Sequence, residues 1–216
     1  MTGVFMPQAV WLMSSGGKDS IAALHALQQS WHWQLAGLVT TFNEANQRIA
    51  LHGTSLTLLE QQSERFDLPL HGIGLPPECG NAVYEQRIAA GLKSLKLDAN
   101  VIAFGDLFLE DIRSFRQRQY AAIGWQTHFP LWQLDTMQFS LNTIRSGVRA
   151  LICCVDLNVL DESFLGREWD EQLLSELPPQ VDPAGENGEF HTFVFDAPGM
   201  ARQVSFELGS DRHISH

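Results

Sequence analysis

Seven residues, Ser14-Ser15-Gly16-Gly17-Lys18-Asp19-Ser20, separate the apolar run Ala9-Val10-Trp11-Leu12-Met13 from the helix-like run Ile21-Ala22-Ala23-Leu24-His25-Ala26-Leu27. A strand, a glycine turn and a helix in that order leave few folds open. They place backbone N–H groups at a helix N-terminus, where a phosphate is held. Gly16 and Gly17 let the chain turn sharply and approach an anion with no Cβ in the way. Lys18 adds a point charge, and Ser15 and Ser20 add hydroxyl donors. The plainer alternative is a capped helix after a tight turn, with Ser14 or Ser15 as N-cap.

Further along, strands and helices alternate. Leu35–Phe42 reads as a second buried strand, nearly all apolar. Ile49, Leu56, Leu59 and Phe66 recur at helical offsets and predict one long helix, which places Arg48 and His52 on a common helix face. Leu68–Ile73 is a short third strand, with Pro69 at its start or at a sheet edge. A helix with the face Tyr84, Ile88, Leu92 and Leu95 precedes a fourth strand, Asn100–Phe104. This alternation predicts an α/β fold, a parallel sheet with helices on both faces, over residues 1–125. Ligands in such sheets bind beyond the carboxyl ends of the strands, so the loops after Met13, Thr41 and Phe104 share one rim.

Residues on that rim are the site candidates. Thr41, Asn43, Arg48 and His52 follow the second strand, with helix capping the alternative for Asn43. Gly105-Asp106-Leu107-Phe108-Leu109-Glu110-Asp111-Ile112-Arg113 follows the fourth strand and opens a helix for which Asp106 suits the N-cap. Glu110 and Arg113, three apart, form either an intrahelical ion pair or part of an acceptor and phosphate site.

From residue 126 to 216 the pattern changes to a smaller α+β domain. Thr127–Trp132 reads as a strand and a bend, Asp135 or Thr136 starts a helix that Gly147 ends, and Ala150–Val155 is a strand. Ser163–Leu177 is expected to be helical. Asp182–Phe193 reads as an ordered loop that gathers Asp182, Glu186, Glu189 and His191, groups suited to acid–base chemistry or a divalent metal. The terminal segment 211–216 is expected to fray.

The net charge of −11 argues against a general nucleic-acid-binding surface, which needs clustered Lys and Arg. No apolar run reaches the length of a membrane span, and the N-terminus lacks a secretory pattern, so a cytoplasmic location is expected. Cys79, Cys153 and Cys154 have neither zinc nor C-x-x-C spacing, and the adjacent pair reads as core packing. Six tryptophans and thirteen phenylalanines suit an ordinary core and equally a buried homodimer face.

The run Ser15–Ser20 is not a Walker A loop, whose glycines are spaced by four residues and whose Lys precedes Ser or Thr. It resembles the pyrophosphate loop of the PP-loop ATP pyrophosphatases. Together with Gly105-Asp106, Glu110 and Arg113, and with Gly185-Glu186-Asn187-Gly188-Glu189-Phe190-His191-Thr192, the chain resembles the diphthine–ammonia ligase-like family, in its bacterial form. The resemblance implies an adenine nucleotide alpha hydrolase-like fold and an ATP-dependent amide ligase that forms AMP and pyrophosphate. It implies ATP and Mg²⁺ as cofactors, with a small-molecule carboxylate and ammonia as reactants. Ser15, Gly16, Gly17, Lys18, Asp19, Ser20, Thr41, Gly105 and Asp106 would bind ATP, its adenine at backbone groups of Leu38–Thr41. Asp19 and Asp106 would hold the metal. Lys18, Asp19, Glu186, Glu189 and His191 would be catalytic, and Asn43, His52, Glu110, Arg113 and Thr192 would meet the acceptor. The alternatives are amidation of diphthine on a protein and a non-catalytic ATP or AMP sensor.

Overall fold

Consecutive residues of the apolar strands leave for opposite cores, the mark of a sheet covered on both faces. In the computed structural model, which describes residues 6–95 and 100–209, β1 (Gln8–Met13) sends Val10 and Leu12 to one buried cluster and Trp11 to the other. β2 (Trp33–Asn43) divides Leu38 from Val39 in the same way, and β5 (Val101–Ala103) divides Val101 and Ala103 from Ile102. One cluster lies under α1 (Lys18–Gln29), through Ile21, Leu24 and Leu27. The other lies under α3 (Asn81–Lys93), through Ile88 and Leu92, and under Tyr120 of α4 (Glu110–Ala121).

The parallel strands run in the order β4 (Leu70–Leu75), β2, β1, β5, β6 (Gln126–His128). Counted without the two-residue β3 (Arg48–Ile49), this is the 3-2-1-4-5 order of a doubly wound nucleotide-binding sheet, as expected for an adenine nucleotide alpha hydrolase-like fold. Strand order reverses between β1 and β5, so the turn after Met13 and the turn after Ala103 border the switch point. Pro69 stands just before β4, as its missing N–H requires.

The smaller C-terminal α+β domain carries α5 (Thr136–Arg145), capped by Asp135, then β7 (Arg149–Val155), α6 (Glu171–Glu176) and β8 (Phe190–Asp196). β7 and β8 pair antiparallel. Their inward residues Ala150, Ile152, Phe190 and Val194 join the same cluster as α1. Cys153 and Cys154 lie on β7; burial pushes the Cys153 thiol up to about 12, which keeps it protonated and suits a packing role.

Three expectations are corrected. The long helix around Ile49 is instead a short hairpin and a shorter helix, α2 (Leu56–Arg65). Ile49 is buried by pairing with Phe42, and the positive φ of Gln47, Leu51 and Gly53 breaks any helix there. Ser55 caps α2 by accepting from Leu58 N. Within Ser163–Leu177 only α6 is α-helical. Gly166 has φ +77°, and Gly166 and Trp169 donate backbone bonds to β7 instead. The loop read over Asp182–Phe193 ends at Glu189, because β8 begins at Phe190. Residues 211–216 lie outside the described residues. Among the described residues no helix is long and apolar enough to cross a membrane.

Candidate functional site

The turn after β1 is shaped by close packing. Gly16 has φ +80°, and a Cβ there would lie 2.9 Å from Leu59 Cδ1. Gly17 is the N-cap of α1 and has no side chain with which to cap it. Ser14 and Ser15 do not do so either. Ser14 Oγ accepts from Gly16 N at 3.2 Å, and Ser15 N donates to Ser20 Oγ at 3.1 Å, so both serines brace the turn. The cap comes from β8: Thr192 Oγ1 accepts from Lys18 N at 3.0 Å. The amides of Gly17, Asp19 and Ser20 find no acceptor among the described residues, which leaves donors at a helix N-terminus.

Lys18 is 2% exposed. A buried ammonium must be paired, and Nζ donates to both carboxylate oxygens of Asp19 at 2.9 Å. It also lies 5.6 Å from the Trp169 ring and 5.5 Å from the Phe190 ring.

On the other side of the switch point, Gly105 presses against α1. A Cβ there would meet the Asp19 backbone at 2.8 Å. Asp106 does not cap α4, which starts four residues later behind Leu109 with no side-chain cap. Its Oδ1 accepts instead from Arg116 Nη2 at 3.2 Å, with Arg116 Nε 2.9 Å from Oδ2 in the same ion pair, and burial raises its pKa against the pull of Arg116. Arg116 rests over Phe104 at 4.4 Å. Arg113 rests over Trp132 at 4.4 Å, with Glu110 at 3.7 Å. Glu110 is largely exposed and bonds Ser114, so the intrahelical reading describes it.

The loop from Asp182 to Glu189 uses two carboxylates on itself. Asp182 accepts from Ala184 N at 2.9 Å and from Thr136 Oγ1 at 2.7 Å. Glu189, 6% exposed, accepts from Asp182 N at 2.9 Å and from both nitrogens of Asn187 at 3.0 Å. Burial alone would raise its pKa, but these bonds hold it below the usual range. Glu189 thus faces its own loop. Glu186 leaves the loop: its Oε1 accepts from Leu107 N at 2.8 Å, across the switch point. Burial pushes it up to about 7, assisted by Asp19 and Asp106 and opposed by the Leu107 bond and by Lys18.

Two imidazoles complete the rim. His191 on β8 lies with its ring 4.6 Å from that of His52. His52 arrives from the turn after β3 and not from a helix, so it shares no helix face with Arg48, whose guanidinium bonds Gly53 O. Its Nδ1 is 3.1 Å from Thr192 O. A carbonyl only accepts, so Nδ1 carries the proton and Nε2 presents a lone pair. Burial, then the neighbouring His191, lowers His52 to about 3. Burial and Lys18 lower His191 as well. Both rings are neutral at pH 7.

The fold therefore gathers Lys18, Asp19, Gly105, Asp106, Glu186, His52, His191 and Thr192 at the ends of β1 and β5. Thr41 and Asn43 stay at the end of β2, where Asn43 Oδ1 accepts from Ala45 N at 2.8 Å in a turn and caps no helix. Sequence reasoning missed Gln62, Trp169 and Trp132, which belong to no motif; only burial and partner geometry reveal them. Among the described residues no group of three or more His, Cys, Asp and Glu side chains is placed to hold a metal. Mg²⁺ commonly takes one or two carboxylates and completes its shell with water and phosphate oxygens. Asp19 and Asp106, whose charges act on each other, fit that smaller demand.

A 3-2-1-4-5 parallel sheet with Ser-Gly-Gly-Lys-Asp-Ser at its switch point defines a nucleotide-binding protein of the PP-loop superfamily. Residues 8–126 match the diphthamide synthase N-terminal domain and residues 135–211 the diphthamide synthase C-terminal domain. The chain belongs to this diphthine–ammonia ligase-like family, whose domains indicate an ATP-using enzyme. Among solved structures, a predicted subunit of tRNA methyltransferase from Methanocaldococcus jannaschii is similar over 91% of this chain and 100% of its own, at 16% identity and a TM-score of 0.43. No curated protein matches.

Proposed function

We propose that the protein is a cytoplasmic, ATP-dependent amide ligase that adenylates a small-molecule carboxylate and transfers ammonia to it. An acceptor oxygen attacks the α-phosphorus, and the bond to pyrophosphate breaks. Ammonia then attacks the acyl carbon, AMP leaves, and one proton is lost from nitrogen.

The observation that carries this reading is Glu186, a carboxyl pushed up to about 7 that bonds the turn after β5 and feels the charges of Lys18 and Asp19 on the turn after β1. It is partly ionised at neutral pH and can take the proton that ammonia sheds. Lys18 and the free amides of Gly17, Asp19 and Ser20 would stabilise charge on the departing pyrophosphate. Asp19 and Asp106 would hold Mg²⁺, which supplies neutralising charge for the polyphosphate when bound. The neutral His191 can accept a hydrogen bond or a proton. Arg113, on its aromatic bed, is suited to an anionic acceptor.

The test is incubation with ATP, Mg²⁺, ammonium and candidate carboxylates, measuring AMP and pyrophosphate. Formation of ADP and phosphate would overturn adenylation. ATP binding without turnover on any acceptor would make the protein a nucleotide sensor. A protein acceptor is favoured by one feature, the exposed apolar residues Phe108, Ile112 and Phe115 on the segment that follows Asp106 in the chain. Turnover on a diphthine-bearing protein and on no small acid would select that reading.

A further inference from the structure

Gln62 lies on α2, outside every motif of the sequence, and is 0% exposed. Its Nε2 donates to the carbonyl oxygens of Gly16 at 3.0 Å and Val194 at 2.7 Å. Two carbonyls can only be faced by the donor end of the amide, which settles its orientation. Its Oε1 has no partner among the described residues. The side chain is therefore kept in the core despite an unmet acceptor, which a purely structural glutamine has little reason to tolerate.

Gly16 O also accepts from Val194 N at 2.9 Å, so two donors from two elements pin one carbonyl. The peptides of the described residues are trans, and in a trans peptide the N–H points opposite to the carbonyl. Holding Gly16 O toward α2 and β8 thus turns the Gly17 N–H away from both, and no described group accepts it. Neither glycine carries a Cβ to resist rotation of this peptide. A turned peptide would present a carbonyl oxygen to an anion in place of an N–H.

We infer that Gln62 is a positioning residue that holds the Gly16–Gly17 peptide with its N–H toward the pyrophosphate group of ATP and ties that orientation to β8. The inference rests on the ATP reading of the loop. The test titrates wild type, Gln62→Met and Gln62→Glu with ATP, inorganic pyrophosphate and AMP by calorimetry, beside thermal melting. Both variants keep the side chain's length; Met has no donor, and Glu has none as a carboxylate and only one when protonated, against the two that Gln62 gives. Affinity for ATP and pyrophosphate is expected to fall about 10- to 100-fold, the range of one charge-assisted hydrogen bond, while AMP stays within about twofold. A merely structural role would weaken all three ligands together, and that result overturns the inference. Unchanged pyrophosphate affinity in a folded variant also overturns it. Wild type that binds neither ATP nor pyrophosphate removes the ATP reading first, and the inference with it. Should neither variant fold, a structure of wild type with pyrophosphate decides: Gly17 N–H must donate to the anion.

Discussion

The two loops that face each other at the switch point are built on opposite plans. Ser14–Ser20 is held largely by others: Thr192 caps its helix, Gln62 and Val194 pin its carbonyl, and Gly105 packs against Asp19. Asp182–Glu189 is held largely by itself, since Asp182 and Glu189 spend their oxygens on its own backbone. A phosphate loop must leave its amides free, so its shape has to be imposed from outside. A loop that delivers one side chain can bond its own backbone and export the remainder, and Glu186 is what it exports. The two glutamates of Gly-Glu-Asn-Gly-Glu therefore differ in kind, one directed at the site and one at the loop.

Substitution can break this contrast, beginning with its largest consequence. Lys18→Ala removes the buried charge of the imposed loop; pyrophosphate release is expected to slow by about a thousandfold, in the range of a lost transition-state donor. Wild-type rates would take the lysine out of the mechanism. Glu186→Gln keeps the acceptor for Leu107 N but not the base, and ammonia-dependent turnover should fall about a hundredfold.

The same variant has a signature in stability. The folded pKa of Glu186 is raised to about 7 from 4.5, so the native state binds the proton more tightly than the unfolded chain. The contribution of Glu186 to stability then declines as pH rises from about 4.5 to 7 and is level above. The loss is about 2 kcal/mol once partial exposure is discounted, and Glu186→Gln should abolish it in pH-dependent melting. Glu189→Gln tests the other loop. Each of its oxygens accepts from an N–H, so either amide orientation sets a donor against a donor. Unfolding free energy should drop by about 2 kcal/mol, visible in denaturant titration. A loss of turnover without a loss of stability would reverse the roles assigned to the two glutamates.

Smaller effects sharpen the picture. His52 is depressed to about 3 from 6.5, so it must be neutral in the folded state, and its contribution is present above 6.5 and lost as pH falls toward 3. Between pH 6.5 and 5 the His52 contribution should fall by about 1.5 kcal/mol, read as the change in the stability difference between wild type and His52→Asn. Thr192→Val removes only the borrowed cap on α1; a cost of about 1 kcal/mol in chemical denaturation is expected, with modest change in ATP affinity.

The strands and most helices were legible because their signals are local. The alternation Val10, Trp11, Leu12 determines which side chain enters which core, and Gly16-Gly17-Lys18 declares a phosphate turn wherever the strand before it ends. Asp135 announced α5 by the same short-range logic. Where the reading failed, a remote partner or an unnoticed break outweighed periodicity. Ile49 keeps helical spacing with Leu56, yet it pairs with Phe42 because Leu51 and Gly53 take positive φ between them.

Residue type named the chemistry available: a lysine and aspartate on the turn, two glutamates and a histidine near the C-terminus. It could not assign their duties. Thr192 caps a helix 174 residues away, Gln62 reaches Val194 across 132, and Glu186 reaches Leu107 across 79. A conformation depends on near neighbours in the chain, whereas a hydrogen bond depends on which atoms folding brings within about 3 Å. For that reason the chain order carried the nucleotide loop and the sheet, and tertiary structure alone decided which glutamate faces the site and what holds the loop open.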